Sequence, residues 1–333
     1  MSSLTMQALI VEQPGAPFKR VALPRPVAGP GQVLVRILAS GVNPLDTKIR
    51  AGKAAHARQP LPAVLGLDLA GVVEAVGDGV TAFQPGDAVY GMTGGVGGLQ
   101  GSLAEYAAVD ADLLAHRSAS QPVREAAALP LVFITAWEGL VDRAAVRAGQ
   151  TVLVHGGAGG VGHIAVQIAV ALGAKVYATG SPAQRATIEG YGATFIDHTT
   201  TAVADYVQQY TDGEGFDVVY DTVGGAVLDT SFQAARTYGG HVVSCLGWGT
   251  HALAPLSFRA ATYSGVFTLL PLLSGRGRAN HGAILREATR LVDAGALSVR
   301  MDARTFSLDQ ALDAHLAIET RAAQGKLVVD VAR

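Results

Sequence analysis

The sequence contains a single cysteine, Cys245, among its 333 residues. One cysteine cannot form an intramolecular disulfide, and it cannot build the cysteine-rich sites that hold structural zinc. This composition is typical of a cytoplasmic protein rather than of a disulfide-stabilised secreted one.

Charged residues are also scarce, at 16% of the chain, and 25 Lys and Arg against 27 Asp and Glu leave a net charge of −2. This balance lacks the basic footprint of a nucleic-acid-binding protein, so no nucleic-acid partner is expected. The 49% hydrophobic content is enough for large buried cores. At about 150 residues per domain, the length predicts two domains.

The sequence also lacks a continuous apolar segment of membrane-spanning length. Residues 148–174 carry no Asp, Glu, Lys or Arg, but clustered glycines between 156 and 162 interrupt them. A spanning helix needs about 20 continuous apolar residues. The N-terminal residues also lack the basic and then apolar pattern of a signal peptide. We therefore expect no membrane partner.

The amino-acid composition and the spacing of turn residues change near residue 123. Before it, closely spaced Gly and Pro separate valine-rich pieces at 32–38, 70–76 and 87–90, which predicts an irregular, mostly antiparallel β domain. After it, strands alternate with helical segments, which predicts crossover units and a parallel sheet. The predicted strands of that sheet are 151–155, 175–179, 194–198, 217–221 and 241–245.

The last residues resemble the N-terminal region in their sequence pattern. They contain a short predicted strand, an amphipathic helix and a final strand in KLVVDV. We therefore predict an α/β protein in which residues 1–122 and 290–333 form one domain. Residues 123–289 would form a doubly wound, parallel-sheet domain inserted into it.

A glycine-rich loop follows the first strand of the predicted parallel sheet. Gly157, Gly159 and Gly162 form G-x-G-x-x-G between a strand and a helix, with Gly160 and Val161 inside the motif. In this context the glycines permit a tight turn, close approach of a pyrophosphate and close packing of helix on strand. The alternative is a glycine-rich turn that serves packing alone.

The residue at the ribose-binding position indicates NADPH rather than NADH as the cofactor. NAD-binding versions place Asp or Glu about 20 residues after the loop, whereas Gly180 occupies that place here. Ser181 and Arg185 follow, and small or cationic groups accommodate a 2′-phosphate. The sequence therefore predicts NADPH, unless Arg185 is an ordinary solvated helix residue.

Six motifs are distributed over nearly the whole chain: GVNPLDTKIRAG (41–52), PAVLGLDLAGVVEAVGDGVTAFQPGDAVYG (62–91), TAWEGL (135–140), VLVHGGAGGVG (152–162), YDTVGG (220–225) and ETRAAQGKLVV (319–329). With these motifs the chain resembles the medium-chain dehydrogenase/reductase superfamily, and within it the zinc-free quinone oxidoreductases, including the zeta-crystallin-like and alkenal/enone reductase branches. The resemblance implies a GroES-like β domain plus a Rossmann domain, with substrate and nicotinamide meeting in the cleft between them.

The ligands of the zinc-dependent relatives are missing from this frame. Asn43 stands at the position of the catalytic Cys, and Leu67 and Asp68 stand where Gly-His-Glu would supply His and Glu. Polarisation of a substrate oxygen by zinc would then be impossible, so no metal is expected.

The resemblance also implies site residues. It places Asn43 and Asp46 in the active-site loop and Thr135 near the nicotinamide. The positions used around the 2′-phosphate are Arg185, His198 and Arg321. Asn43 could instead serve a turn, Asp46 could cap it, and His198 could be a surface residue at a strand end.

Two positions separate the branches. Bacterial quinone reductases have tyrosine where this chain has Lys48 and Ala54, which argues against quinone itself. Lysine at position 48 is similar to the alkenal/enone branch, where it could face the cleft, although a solvated lysine is the alternative.

The resulting hypothesis is an NADPH-dependent reductase that passes hydride to a quinone or to the β-carbon of an α,β-unsaturated carbonyl, with Asn43 and Lys48 as candidate donors to the substrate oxygen. The alternatives are an enoyl-thioester reductase and a crystallin-like NADPH-binding protein with little turnover. The resemblance further implies a homodimer joined through the edge of the Rossmann sheet, with Tyr263–Leu270 as the candidate edge strand.

Overall fold

A computed structural model describes residues 4–331. Contacts between Cα atoms divide the chain into two compact units. The first contains the residues up to Leu131, Leu269–Gly295 and the residues from Val299 onward, and the second contains Val132–Thr268 and Ala296–Ser298.

The strands, in chain order, are β1 (Thr5–Val11), β2 (Lys19–Pro24), β3 (Gln32–Val42), β4 (Ala63–Val64), β5 (Asp68–Val76), β6 (Ala88–Met92), β7 (Tyr106–Asp110), β8 (Leu114–His116), β9 (Thr151–His155), β10 (Lys175–Gly180), β11 (Thr194–Asp197), β12 (Val218–Asp221), β13 (His241–Ser244), β14 (Thr262–Gly265), β15 (Phe306–Ser307) and β16 (Leu327–Asp330).

The α-helices are α1 (Pro44–Arg50), α2 (Val123–Ala128), α3 (Pro130–Trp137), α4 (Gly162–Ala171), α5 (Arg185–Gly190), α6 (Val203–Thr211), α7 (Ala226–Ala234), α8 (Ala254–Ser257), α9 (Leu270–Ser274), α10 (Arg278–Asp293) and α11 (Ala311–Glu319). A π-helical segment, Glu138–Arg143, continues α3. Short 3-10 turns lie at Ala55–Ala57, Ala111–Leu113, Pro182–Gln184 and Leu308–Gln310. Within residues 4–331, no helix is both long and apolar enough to cross a membrane.

The first unit is built on two mainly antiparallel sheets. A three-stranded sheet has the order β2-β1-β4, and a seven-stranded sheet runs β15-β16-β3-β5-β6-β8 with β7 also paired to β3. The pairing of β16 with β3 confirms that the C-terminal strand returns to this domain. The predicted strands at 32–38 and 70–76 are confirmed as parts of β3 and β5, and the one predicted at 87–90 overlaps β6, which begins one residue later.

The second unit is a six-stranded sheet in the order β11-β10-β9-β12-β13-β14, with every neighbouring pair parallel. Numbered from its first strand, this is the order 3-2-1-4-5-6 of the doubly wound dinucleotide-binding fold. Its core includes Leu153, Val219 and Val242 from the strands and Phe232 from α7. The predicted α/β fold class is therefore confirmed.

The unit boundaries differ from the predicted 122/123 and 289/290. Helix α2 packs on β3 and β5 of the first unit, and it does so closely: a Cβ on Gly41 would lie 2.1 Å from the carbonyl oxygen of Ala127. Helix α10 packs on β8, and the hydroxyl of Tyr90 donates to the carbonyl of Leu285 in α10 at 2.7 Å. Both helices therefore belong with the β unit, although their composition resembles that of the inserted helices.

The edge strand is also shorter than predicted. Strand β14 ends at Gly265 and lies at one edge of the parallel sheet, whereas the prediction extended to Leu270. Pro271 occupies the first turn of α9, where its fixed φ favours a helix start. The homodimer expected at this edge remains a prediction.

Candidate functional site

A group of buried polar side chains surrounds the start of α1 in the first unit. Asn43 immediately precedes this helix, and its side-chain amide donates to Oδ2 of Asp68 at 2.8 Å. Its backbone N–H donates to Oδ2 of Asp46, also at 2.8 Å. The ammonium of Lys326 donates to Oδ1 of Asn43. None of these four side chains, here called the buried polar cluster, belongs to a residue more than 5% exposed.

Burial controls the charges in this cluster. It raises the pKa of Asp46 to about 8, against the lowering effect of the hydrogen bond from the Asn43 backbone. It raises the pKa of Asp68 to about 7, against the attraction of Lys326. It also lowers the pKa of Lys326, which the two carboxylates oppose. Because two carboxylates share one ammonium out of water, the cluster retains a proton near neutral pH.

The cluster does not fit a zinc ion. At the three aligned ligand positions the chain offers the amide of Asn43, the apolar side chain of Leu67 and the carboxylate of Asp68. The ammonium of Lys326 already donates into this group, and a cation cannot act as a ligand. Among residues 4–331, no three His, Cys, Asp or Glu side chains are grouped so that they could hold a metal ion.

The three predicted catalytic residues are separated by the structure into two sets. Asn43 and Asp46 belong to the buried polar cluster, and both polar atoms of the Asn43 side chain are engaged there. Lys48 lies on the same helix, α1, but it is exposed. Its charge helps burial to lower the pKa of the nearby His56. The geometry thus favours a structural role for Asn43 and Asp46, which hold the start of α1 in place. Lys48 is exposed and can contact a solute.

Lys326 is the member of this cluster that sequence reasoning missed. It lies directly before β16, within the motif ETRAAQGKLVV (319–329). The sequence pattern that could have indicated it is a single lysine directly before the apolar run LVV, which forms a buried strand. A lysine in such a place needs a polar partner.

The glycine-rich loop between β9 and α4 leaves no room for side chains at two of its glycines. A Cβ on Gly162 would lie 2.0 Å from the carbonyl oxygen of Gly156, and one on Gly157 would lie 2.5 Å from Cβ of Ala178. Gly159 and Gly160 are exposed, and Val161 directly precedes α4. This loop has the backbone access and close helix–strand packing that a pyrophosphate requires.

Three of the residues predicted around a 2′-phosphate, Ser181, Arg185 and His198, follow the carboxyl ends of β10 and β11. Gly180 ends β10, and the backbone N–H of His198 donates to its carbonyl at 3.3 Å. Ser181 follows directly and begins the turn that leads into α5. Arg185 is exposed at the start of α5, where its guanidinium pairs with Glu189 at 3.2 Å.

Arg185 also has a defined position. Its guanidinium lies over the Phe195 ring, 4.4 Å from the ring centroid. The ring holds the side chain beside β11, and the exposed ion pair with Glu189 is weak enough to be exchanged for a phosphate. The Arg185 side chain is therefore exposed, as the solvated-helix alternative requires, and its guanidinium is also accessible to a phosphate.

Thr135 and Arg321 lie in different units. Thr135 is in α3, its hydroxyl lies 3.1 Å from that of Thr268, and its carbonyl accepts from the Tyr220 hydroxyl at 2.6 Å. These contacts fix it within the second unit. Arg321 belongs to the first unit, exposed just after α11, with a left-handed φ of 58°.

Two family models match the chain. "Alcohol dehydrogenase GroES-like domain" matches residues 29–119, and "Zinc-binding dehydrogenase" matches residues 191–329. Among solved structures, an alcohol dehydrogenase superfamily protein from Novosphingobium aromaticivorans superposes with a TM-score of 0.97 at 57% identity. That match covers 98% of this chain and 100% of the other.

Curated relatives include a 2-methylene-furan-3-one reductase of Solanum lycopersicum, 36% identical over 90% of this chain and 71% of the relative. A chloroplastic NADPH-dependent alkenal/one oxidoreductase of Arabidopsis thaliana is 35% identical over 90% of this chain and 72% of the relative. A quinone oxidoreductase of Homo sapiens is 33% identical over 69% of each chain. Together with the GroES-like and doubly wound units, these matches show that the chain belongs to the medium-chain dehydrogenase/reductase superfamily, in its zinc-free quinone oxidoreductase-like branch.

Proposed function

We propose that this protein transfers a hydride from NADPH to a quinone or to the β-carbon of an α,β-unsaturated carbonyl compound, without zinc. The observation that carries the proposal is the β9–α4 loop with Gly180 in the place of the ribose-binding acid. The names of the tomato, Arabidopsis and human relatives support the two classes of acceptor.

The glycine-rich loop would hold the cofactor's pyrophosphate through Gly157, Gly159, Gly160, Val161 and Gly162. Bound NADPH supplies the hydride from its nicotinamide ring. Thr135 is the proposed residue near that ring.

Four residues are proposed to hold the 2′-phosphate: Ser181, Arg185, His198 and Arg321. A carboxylate at position 180 would repel that phosphate, whereas Gly180 does not. Arg185 contributes a planar guanidinium, whose fork of N–H donors matches the geometry of a phosphate.

Substrate oxygen gathers negative charge as hydride arrives, so a donor near it stabilises the transition state. We assign that donation to Lys48, the exposed cation of α1. Asn43 and Asp46 would act as positioning residues, because their contacts with each other and with Asp68 and Lys326 fix the start of the helix.

The test compares Lys48→Ala with the parent, using one alkenal and one ortho-quinone at saturating NADPH. Loss of a principal oxyanion donor costs about 10²–10³ in kcat. An exposed lysine should contribute less, so we expect kcat/KM to fall about tenfold with the alkenal. The fall should be smaller with the quinone, whose oxygen charge is delocalised over the ring.

Lys19→Ala is the matched control, because Lys19 is an exposed lysine of the same unit that pairs with Glu12. It should leave both rates unchanged. If Lys48→Ala changes kcat/KM by less than twofold with both substrates, the assignment of Lys48 is wrong. Tight NADPH binding by the parent without turnover of either substrate would instead indicate the cofactor-binding protein.

A further inference from the structure

A cavity of about 650 Å³ lies beside α1 in the first unit. Its walls include the apolar side chains of Ile49, Ala54, Pro60 and Leu61, and Arg58 adds the one charged group of the lining. Cavities of about 300–1,000 Å³ take small organic ligands. Ile49 belongs to α1, the helix that also carries Lys48.

The chain around this cavity carries charge of one sign. No Asp or Glu occurs between Asp46 and Asp68, whereas the segment 48–58 contains Lys48, Arg50, Lys53, His56 and Arg58. Arg50 is paired with Glu319 at 2.7 Å. In residues 4–331, no carboxylate pairs with Arg58. A positive charge therefore remains at an apolar cavity in a protein whose net charge is −2.

The backbone holds Arg58 in place in an uncommon conformation. Its φ of 49° and ψ of 35° lie in the left-handed region, which side chains other than Gly, Asn and Asp rarely adopt. The residues on either side are anchored, because the carbonyl of Ala57 accepts from the N–H of Gly97 at 2.9 Å and Oε1 of Gln59 accepts from the N–H of Gly98 at 2.9 Å. Arg58 is the C-cap of the 3-10 turn Ala55–Ala57, and a left-handed residue commonly ends a helix in this way.

We propose that this cavity binds the distal part of a substrate that ends in a carboxylate, with the Arg58 guanidinium as its partner. The inference rests on the proposed function and narrows it to acidic enones: an apolar chain lies along the apolar walls, and the carboxylate pairs with Arg58. A monoanion matches the single cation of the lining, and a carboxylate fits the planar fork of a guanidinium.

Ala54 contributes the space. Ala54 is a small, buried residue of the cavity wall. The small residue therefore suits a longer ligand, and it makes Ala54→Tyr an informative variant.

The experiment uses an acyclic enone that ends in a carboxylate and its methyl ester of equal chain length. With NADPH and the parent protein, we expect kcat/KM for the acid to exceed that for the ester about tenfold. Arg58→Gln should remove this preference through KM and leave kcat for the ester within about twofold. Arg58→Lys should keep part of it, and Ala54→Tyr should raise KM for both long substrates.

Two controls separate charge from structure. Arg58→Gly removes the guanidinium while relieving the left-handed backbone, so it should lose the preference and yet raise Tm. Arg290→Gln removes an exposed arginine that is paired only with Glu287, and it should keep the preference.

Binding is measured independently of turnover by calorimetry with the saturated keto acid. The parent should bind it about tenfold more tightly than Arg58→Gln does. Equal kcat/KM for acid and ester in the parent, or equal affinities in the parent and Arg58→Gln, would overturn the inference and leave the proposed function standing. If neither enone is reduced, the enone part of the proposed function fails, and the calorimetric comparison still decides whether the cavity binds a carboxylate.

Discussion

Lys326→Met should destabilise the first unit, because it removes the only cation from the buried polar cluster. In the parent, the ammonium donates to Oδ1 of Asn43 and lies near the Val42 carbonyl, 3.4 Å away. Methionine fills a similar volume without charge or donors. The carboxylates of Asp46 and Asp68 would then share a buried site with no compensating charge.

The magnitude follows from the burial of the cluster. Breaking a buried ion pair by removing one partner costs about 3–5 kcal/mol. The carboxylates can reduce that cost by binding protons, which the pKa values of about 8 for Asp46 and about 7 for Asp68 already indicate. We therefore expect about 3 kcal/mol at pH 8. At 2–4 °C per kcal/mol, this is a fall in Tm of about 6–12 °C.

The pH dependence has a definite sign. A carboxylate whose pKa is raised on folding binds protons more tightly in the folded protein, so the free energy of unfolding falls as pH rises from about 4 through the folded pKa. Removing Lys326 raises both carboxyl pKa values further and steepens this fall. The loss in Tm should thus be larger at pH 8 than at pH 6.

Differential scanning fluorimetry at the two pH values measures both effects. The matched control is the double variant Lys326→Met/Asp68→Asn, which removes one negative charge together with the positive one. It should recover part of the loss, with a coupling energy of about 1–3 kcal/mol. A Tm change below about 2 °C at pH 8, or an equal change at both pH values, would refute the electrostatic account of the cluster.

Three further predictions concern the cofactor and the metal. Arg185→Ala should weaken NADPH binding about tenfold and NADH binding little, as measured by fluorescence titration, whereas Arg290→Ala should change neither; equal affinity of the parent for both cofactors would contradict the proposed NADPH preference. Gly162→Ala should lower cofactor affinity and Tm, because its Cβ would lie 2.0 Å from a backbone oxygen. In the control Gly190→Ala the new Cβ meets no atom within 4 Å, so this variant should be neutral or stabilising. Similar behaviour of the two variants would contradict the steric argument. Elemental analysis of active protein should find well under one zinc per chain, and stoichiometric zinc lost together with activity on chelation would show that zinc independence is wrong.

The parallel sheet was the most predictable part of the fold. The predicted strand 151–155 coincides with β9, and the other four central strands differ from their predicted ends by at most one residue. Strands buried on both faces consist of continuous β-branched and apolar residues, which contrast with the glycines and polar residues around them. The glycine-rich loop was also predictable, because its role could be inferred from the strand before it and the helix after it in the sequence.

The unit boundaries were less predictable, because composition does not show where a helix packs. Helix α2 follows the sequence texture of the inserted domain, yet it packs closely against Gly41 of β3. Helix α10 likewise has an amphipathic pattern that does not reveal which sheet receives its apolar face. Its carbonyl at Leu285 accepts from Tyr90, which is 195 residues earlier in the chain.

The partner of Lys326 is Asn43, 283 residues away along the chain, so the local pattern indicates that the lysine needs a polar partner but does not identify that partner. The family frame does supply a physical reason for it. The family resemblance implies that zinc-dependent members place a metal cation among a Cys, a His and a Glu, whereas this chain has a carboxylate at one of these positions, Asp68, and Asn43 and Leu67 at the other two. A carboxylate buried without a counter-charge costs several kcal/mol or takes up a proton. Lys326 provides that counter-charge from within the chain, and its hydrogen bond also orients Asn43 at the start of α1. The same cation therefore balances a buried acid and fixes the start of the helix that carries Lys48.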